Sequence, residues 1–455
     1  MKNNNYCIKR VDTIETALKK MDLNQVGTVL IEEKKKIIGI ATDGDIRRAL
    51  LKKFKLSSDI SKIFNKKFIY LLENDATREN ILKILDTKIK IIPILDKNHK
   101  LISIVTKNNI DWNEKEKLIS KGKAPVRISF AGGGTDLTNY FYKESGVVLN
   151  ATINKFVNAV VEKRNDATIY IKSYDLNKEA TYKGVDDIEF DGSLDLIKSV
   201  IKILKPEFGF NLFTYSDIPS GSGLGGSAAL LSSVIGAFNN FRENKYTDYE
   251  ISELSFHAER VALNLSGGWQ DQYATVFGGF NYIEFKDNEN IVNTLRISDE
   301  ISNELEDSLI LCYSGIRHDS NEVHEDQKKK MNNKLQKLYA SNSKKIAEEM
   351  KSRLLKGRLD DFGELLGQAW ETKKKFSSKI TTPKLDKIYN FAIKNGALGG
   401  KLLGAGNGGY FLFYVPTFSK LKLMSMLKEQ GYLVETFTFN NTGLRAWVTK
   451  KKYED

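Results

Sequence analysis

Apolar residues fall along the chain in short runs separated by polar turns, and the runs predict its elements. Thr13–Lys20 has helical spacing and leads to two apolar strands, Thr28–Ile31 and Ile37–Ala41. Thr42-Asp43-Gly44-Asp45 then opens a capped helix. The same order returns about 64 residues on, counted from Thr42 to Thr106: helix Arg78–Leu85, strands Ile91–Leu95 and Leu101–Val105, then Thr106-Lys107-Asn108-Asn109. Residues 1–112 therefore read as one module of two similar halves. The polar run 113–123 reads as a linker. Beyond it lie a strand at Val126–Phe130 and a partly alternating, aromatic-rich strand at Phe210–Tyr215. A buried helix starts at Ser227 and is carried by Ala228, Ala229, Leu230, Leu231, Val234, Ile235 and Phe238. A second helix follows over roughly Asp248–Leu265, and a late strand over Tyr410–Val415.

With 455 residues the chain has room for two to four domains, and 41% hydrophobic with 28% charged residues fits a soluble globular protein. No apolar run reaches the length of a membrane span, and Met1-Lys2-Asn3-Asn4-Asn5 leads into none, so no signal peptide is expected. Cys7 and Cys312 form no CxxC and are expected to be reduced, which points to the cytoplasm. The net charge of +12 comes from lysines scattered in short runs, the pattern of solvated helix faces. Scattered lysines argue against a nucleic acid, and an anionic substrate explains the basic balance equally well. The four histidines have no zinc spacing.

The chemistry is carried by glycine-rich segments. Residues 219–229 read Pro-Ser-Gly-Ser-Gly-Leu-Gly-Gly-Ser-Ala-Ala, between a strand and a helix. Gly221, Gly223, Gly225 and Gly226 let the backbone curl and aim N–H groups at a phosphate on the helix N-terminus. The loop lacks the Gly-Lys-Ser/Thr ending of a P-loop. GxGxxG matches it, and matches again at Gly404, Gly406 and Gly409, but neither match has the surrounding strands and helices of a dinucleotide fold. In Gly132-Gly133-Gly134-Thr135-Asp136 the glycines admit a polyol and Asp136 can accept from two hydroxyls. Asp271 follows a glycine pair in Gly267-Gly268-Trp269-Gln270-Asp271. Glu259 and Ser227 make a reasonable magnesium pair, since magnesium takes few protein oxygens. Taken alone, each loop also reads as a turn with packing glycines, each aspartate as a helix cap, and Glu259 as a surface or ion-paired residue.

Together and in this order, Ala124-Pro125-Val126-Arg127, the Pro-xxx-Gly-Leu-Gly-x-Ser-Ala loop and Gly404-Ala405-Gly406-Asn407-Gly408-Gly409 resemble the GHMP kinase superfamily. Within it, the stretches around Arg127 and Asp271 look closest to the D-glycero-D-manno-heptose 7-phosphate kinases. The resemblance implies an α+β, two-domain catalytic part, 124–296 and 297–455. It also implies transfer from ATP to a heptose 7-phosphate, giving the 1,7-bisphosphate. It places ATP on Pro219, Gly221, Ser222, Gly223, Leu224, Gly225, Gly226 and Ser227, and Mg2+ on Ser227 and Glu259. Asp271 and Arg127 become catalytic, and Gly133, Thr135, Asp136, Gly404 and Gly406 contact substrate. Many members carry a serine where Gly226 stands, so Ser227 is the sole loop hydroxyl in the usual magnesium position. Arg317, after a strand, is the candidate for the sugar's phosphate. A kinase for fucose or galactose is the nearest alternative. A non-catalytic nucleotide sensor is a further one, opposed by Asp271, Ser227 and Glu259. Residues 1–112 resemble a tandem pair of cystathionine-β-synthase (CBS) domains, in which Thr42 and Asp45 match the positions that hold an adenine nucleotide. The second copy departs, with Asn109 for the acid and Ser103 for the usual glycine. At most one nucleotide site is implied, and a dimer through this module is a possible use of it.

Overall fold

The computed structural model describes residues 5–87, 89–107, 110, 116–316, 323, 326 and 333–452. The chain divides into two compact units, Met1–Glu114 and Lys115–Asp455.

The first unit repeats one motif. Strands β1 (Cys7–Lys9), β2 (Thr28–Glu33) and β3 (Lys36–Thr42) form one sheet, with α1 (Ile14–Asn24) and α2 (Asp43–Leu51) between and after them. Strands β4 (Leu71–Leu72), β5 (Ile91–Leu95) and β6 (Leu101–Thr106), with α3 (Arg78–Asp86), form the other. Each sheet pairs its first two strands parallel and its last two antiparallel. Each half has its own apolar cluster, and Leu30, Ile37, Ile91, Leu95 and Ile104 join them in a third. Gly39, the counterpart of Ser103 in the first half, is held to glycine by packing. A Cβ there would sit 2.3 Å from the Phe64 ring.

The second unit is built on two long strands, β7 (Glu116–Ala131) and β8 (Gly146–Lys163), joined through α4 (Thr138–Glu144). Strands β9 (Ile169–Ser173), β10 (Lys178–Tyr182), β11 (Phe210–Ser216), β12 (Phe280–Phe285) and β13 (Asn290–Thr294) extend the sheet in the order β10-β9-β11-β8-β12-β13. Helices α5 (Asp195–Leu204), α6 (Gly226–Asn239), α7 (Asp248–Phe256) and α8 (Gln270–Phe277) belong to this half. Ten residues of α6 are buried, from Ala228 to Phe238, so this helix is the core of the half rather than a surface helix. The expected helix over Asp248–Leu265 is α-helical only to Phe256 and continues as a π-helical stretch, His257–Ala262.

The C-terminal half carries α9 (Asp299–Ser308), β14 (Leu309–Tyr313), α10 (Lys334–Leu355), α11 (Leu359–Lys374), α12 (Pro383–Lys394), β15 (Gly399–Leu402), β16 (Tyr410–Tyr414), α13 (Thr417–Glu429) and β17 (Leu433–Glu435). Its sheet runs β15-β16-β14-β17, all antiparallel. The last strand, β18 (Arg445–Lys452), returns to the first sheet and pairs antiparallel with residues 116–123 of β7. The segment 113–123 is therefore a strand from Glu116 onward, not a linker. Ladder hydrogen bonds to β18 and β8 hold it extended despite its polarity.

Candidate active site

Strand β11 ends at Ser216, and the chain turns through three glycines in the left-handed region, Gly221 (φ 75°), Gly223 (φ 79°) and Gly225 (φ 78°), before α6 begins. A side chain at these positions would strain the backbone. Gly225 caps α6 with no side chain, so the first-turn N–H groups face a cavity lined by Gly225, Gly226 and Ser227. The loop is pinned from behind. The Leu224 carbonyl accepts from Arg127 N–H (2.9 Å), and the Ser222 carbonyl accepts from Tyr410 N–H (3.0 Å). Leu224 itself is fully buried and anchors the loop, outside the cavity lining.

Arg127, on β7, is almost wholly buried. Its Nε and Nη2 donate to the two carboxylate oxygens of Asp271, both at 2.7 Å, and its Nη1 donates to the Gly223 carbonyl at 2.7 Å. One side chain thus fixes the carboxylate at the start of α8 and the middle of the glycine loop together. Asp136 is also buried and accepts from the N–H groups of Gly134 (3.0 Å) and Gln270 (3.2 Å). Burial, and then the charge of Asp271, hold its carboxyl above the usual carboxylate range. Gly133 and Asp136 line the cavity. Thr135 does not: its hydroxyl lies 2.8 Å from the carbonyls of both Gly132 and Val147 and accepts from Val147 N–H (3.0 Å).

The second glycine loop closes the cavity from the C-terminal half. Gly404 and Gly409 back onto the first loop, where Cβ atoms would sit 2.6 Å from Gly223 Cα and 2.5 Å from the Ser222 carbonyl. Gly404 lines the cavity, whereas Gly406 packs against Ile380 and stays outside it. Two lysines complete this wall that the sequence did not single out. Lys373, at the end of α11, donates to the carbonyls of Leu402 (2.7 Å) and Gly404 (2.5 Å). Lys401, on β15, crosses to β7 and donates to the carbonyls of Ser129 (3.0 Å) and Phe130 (3.2 Å). Burial pushes the Lys401 ammonium down to about 7, with Arg127 adding to the shift. Burial, Lys401 and Arg127 push Lys373 well below the usual lysine range. Seventy lysines and arginines in the chain give a sequence reader no reason to choose these two.

The cavity has a volume of about 610 Å³. Glu259, in the π-helical stretch, lines it beside Ser227 and is buried. Its Oε2 accepts from Gln272 at 2.7 Å and lies 3.3 Å from Arg260 Nη2. A hydroxyl and a carboxylate on one cavity fit a magnesium ion that takes its other oxygens from phosphates and water. No cluster of three or more acidic, histidine or cysteine ligands exists among the described residues. Arg317 and Asn109 lie outside the described residues. In the first unit, Thr42 and Asp45 form a reciprocal capping box at α2, with Thr42 Oγ1 donating to Asp45 Oδ2 (2.6 Å) and Asp45 paired to Arg48 (2.6 Å). Cys7 and Cys312 are both free, and no described helix is long and apolar enough to cross a membrane.

Known proteins align with this architecture. The GHMP kinase N-terminal domain matches residues 195–279, the GHMP kinase C-terminal domain residues 350–425, and the CBS domain residues 1–52. A D-glycero-alpha-D-manno-heptose 7-phosphate kinase of Campylobacter jejuni is 40% identical over 334 residues, covering 71% of this chain and 98% of that protein. The crystal structure of a D-glycero-D-manno-heptose 1-phosphate kinase from Bacteroides thetaiotaomicron superposes with a TM-score of 0.61 at 33% identity, covering 72% of this chain and 98% of its own. A Lactococcus lactis galactokinase complexed with galactose shares the fold, with a TM-score of 0.60 at 20% identity over 72% of this chain and 95% of its own.

Proposed function

The chain belongs to the GHMP kinase family, and from that premise we propose that it transfers the terminal phosphoryl group of Mg·ATP to D-glycero-D-manno-heptose 7-phosphate, giving the 1,7-bisphosphate and ADP. The observation that carries the reading is the Arg127–Asp271 pair, set at 2.7 Å beside the glycine loop in one cavity. The loop backbone and the N-terminus of α6 receive the nucleotide phosphates. Bound Mg2+, held by Ser227 and Glu259, would neutralise charge on them. Asp271 orients the acceptor hydroxyl and takes its proton, while Arg127 holds that carboxylate in place. The heptose 7-phosphate acceptor is supported by the relative that this chain matches over 98% of its length. The described cation-rich wall of Arg127, Lys373 and Lys401 suits an anionic reaction.

An ATP-consumption assay over heptose 7-phosphate, heptose 1-phosphate, unphosphorylated heptose, fucose and galactose tests the reading. Turnover is expected on heptose 7-phosphate above all others. Preference for fucose or galactose would replace the acceptor, and activity on none would favour the non-catalytic alternative. For the first unit, we infer an adenine nucleotide bound at the Thr42–Asp45 cap, with at most one such site per chain. The CBS match supports this reading. Calorimetry with AMP, ADP and ATP on residues 1–114 tests it, and sedimentation of the full chain tests a dimer through the same unit.

A further inference from the structure

Of the two cavity lysines, Lys401 reaches away to the carbonyls of β7, whereas Lys373 is tied to the second glycine loop itself. Its Nζ has three N–H donors, and two go to the carbonyls of Leu402 and Gly404. No described ion pair includes it, so it has no carboxylate partner among the described residues. It is partly buried and lines the cavity. Its Nζ is held by two carbonyls and lies 6.0 Å from the Trp370 ring centre, with Arg127 and Lys401 as charged neighbours, so an anion entering the cavity would favour its ammonium form.

The contacts say which anion. Gly404, which holds Lys373, abuts Gly223, and Gly223 is the residue whose carbonyl holds Arg127. Lys373 and Arg127 therefore hang from facing glycines of the two loops, Gly404 and Gly223, one in each half of the unit. Arg127 is committed to Asp271 and the loop. Lys373 keeps a donor free.

We propose that Lys373 is a further catalytic residue of this kinase, whose ammonium meets the terminal phosphate of the nucleotide and stays on it through transfer. In that step the bond between the terminal phosphorus and the bridging oxygen breaks, its electron pair leaving on ADP. The bond from the acceptor oxygen to phosphorus forms, and the acceptor's proton passes to Asp271. Lys373 gives up no proton. It offsets negative charge on the moving group, as a pre-placed donor does without reorganisation. The placement also makes the site depend on closure between halves, because Lys373 and its two carbonyls come from the C-terminal half and the loop from the other.

The inference rests on family membership and not on which sugar is the acceptor, and the binding arm of its test needs no sugar. The full chain and its Lys373→Gln and Lys373→Met variants are titrated calorimetrically, with Mg2+, against ADP and against a non-hydrolysable β,γ-imido analogue of ATP. Both variants should bind ADP within about twofold of the parent. They should bind the analogue about 10- to 100-fold more weakly, the range of a charge-assisted hydrogen bond. Kinetically, kcat should fall while KM for the acceptor holds. Glutamine can still donate to both carbonyls, so the Lys373→Gln variant decides the matter if methionine leaves the chain unfolded. Equal weakening of ADP and analogue would make Lys373 a structural or general phosphate contact, and unchanged affinity for both would remove it from the site. A rise confined to the KM of a phosphorylated acceptor would assign it to the sugar's phosphate. Each of these overturns the proposal.

Discussion

At the level of single residues, the charges around Arg127 set the behaviour of the site. Asp271→Asn keeps the shape and loses the charge. Its kcat should drop about 10²- to 10⁴-fold, the usual worth of a positioned base, while ADP affinity measured by calorimetry survives. Lys401 gives a pH signature of its own. Its ammonium is held at about 7, against an ordinary 10.5, by burial and then by Arg127. Between those values the unfolded chain binds the proton and the folded chain does not, so stability rises with pH across that window. The penalty is fully present below pH 7. The melting temperature of the ligand-free protein should accordingly climb from pH 7 to 9 more steeply than that of Lys401→Met. Equal slopes would show that Lys401 is already relieved by a neighbour. Arg127 and Asp271 were legible in the sequence because each stands in a glycine-rich motif. Lys373 and Lys401 were not, because what distinguishes them is a set of backbone carbonyls from distant strands. Thr135 and Gly406 stood in the right motifs but face packing, which spacing cannot reveal.

At the level of elements, the two glycine loops work as one. Gly404 has φ 70°, and a Cβ there would lie 2.6 Å from Gly223 Cα. Gly404→Ala is expected to push the loops apart, lowering the melting temperature and weakening ATP-analogue binding together. A variant with parental affinity would mean that the loops tolerate separation. The sequence marked both loops and the strands and helices that bear them, since apolar periodicity is local. It missed the first half of β7, whose residues 116–123 carry no apolar alternation and whose partner β18 lies more than three hundred residues away along the chain. It also missed the change to π-helical winding at His257. That winding adds a residue per turn and shifts which side chains face inward, and Glu259 within it is buried.

For the molecule as a whole, the division at Glu114 and the pairing of β7 with β18 decide what can be removed. A chain beginning at Lys115 retains every cavity residue and both partners of that pairing, so it should fold and turn over substrate within a few-fold of the parent. One beginning at Ala124 strips β18 of its partner and should melt at a clearly lower temperature by calorimetry. Similar melting of the two would show that residues 116–123 contribute nothing to the sheet. The same pairing has a consequence during synthesis. The first unit owns all of its strands by residue 114, whereas the large sheet waits for the final strand, Arg445–Lys452, to leave the ribosome. At about 5–20 residues per second that wait is on the order of twenty to seventy seconds. For its duration a finished leading unit is tethered to a catalytic part still open to proteases and chaperones, so nascent chains arrested before Arg445 should be cleaved readily after Lys115 and spared before it.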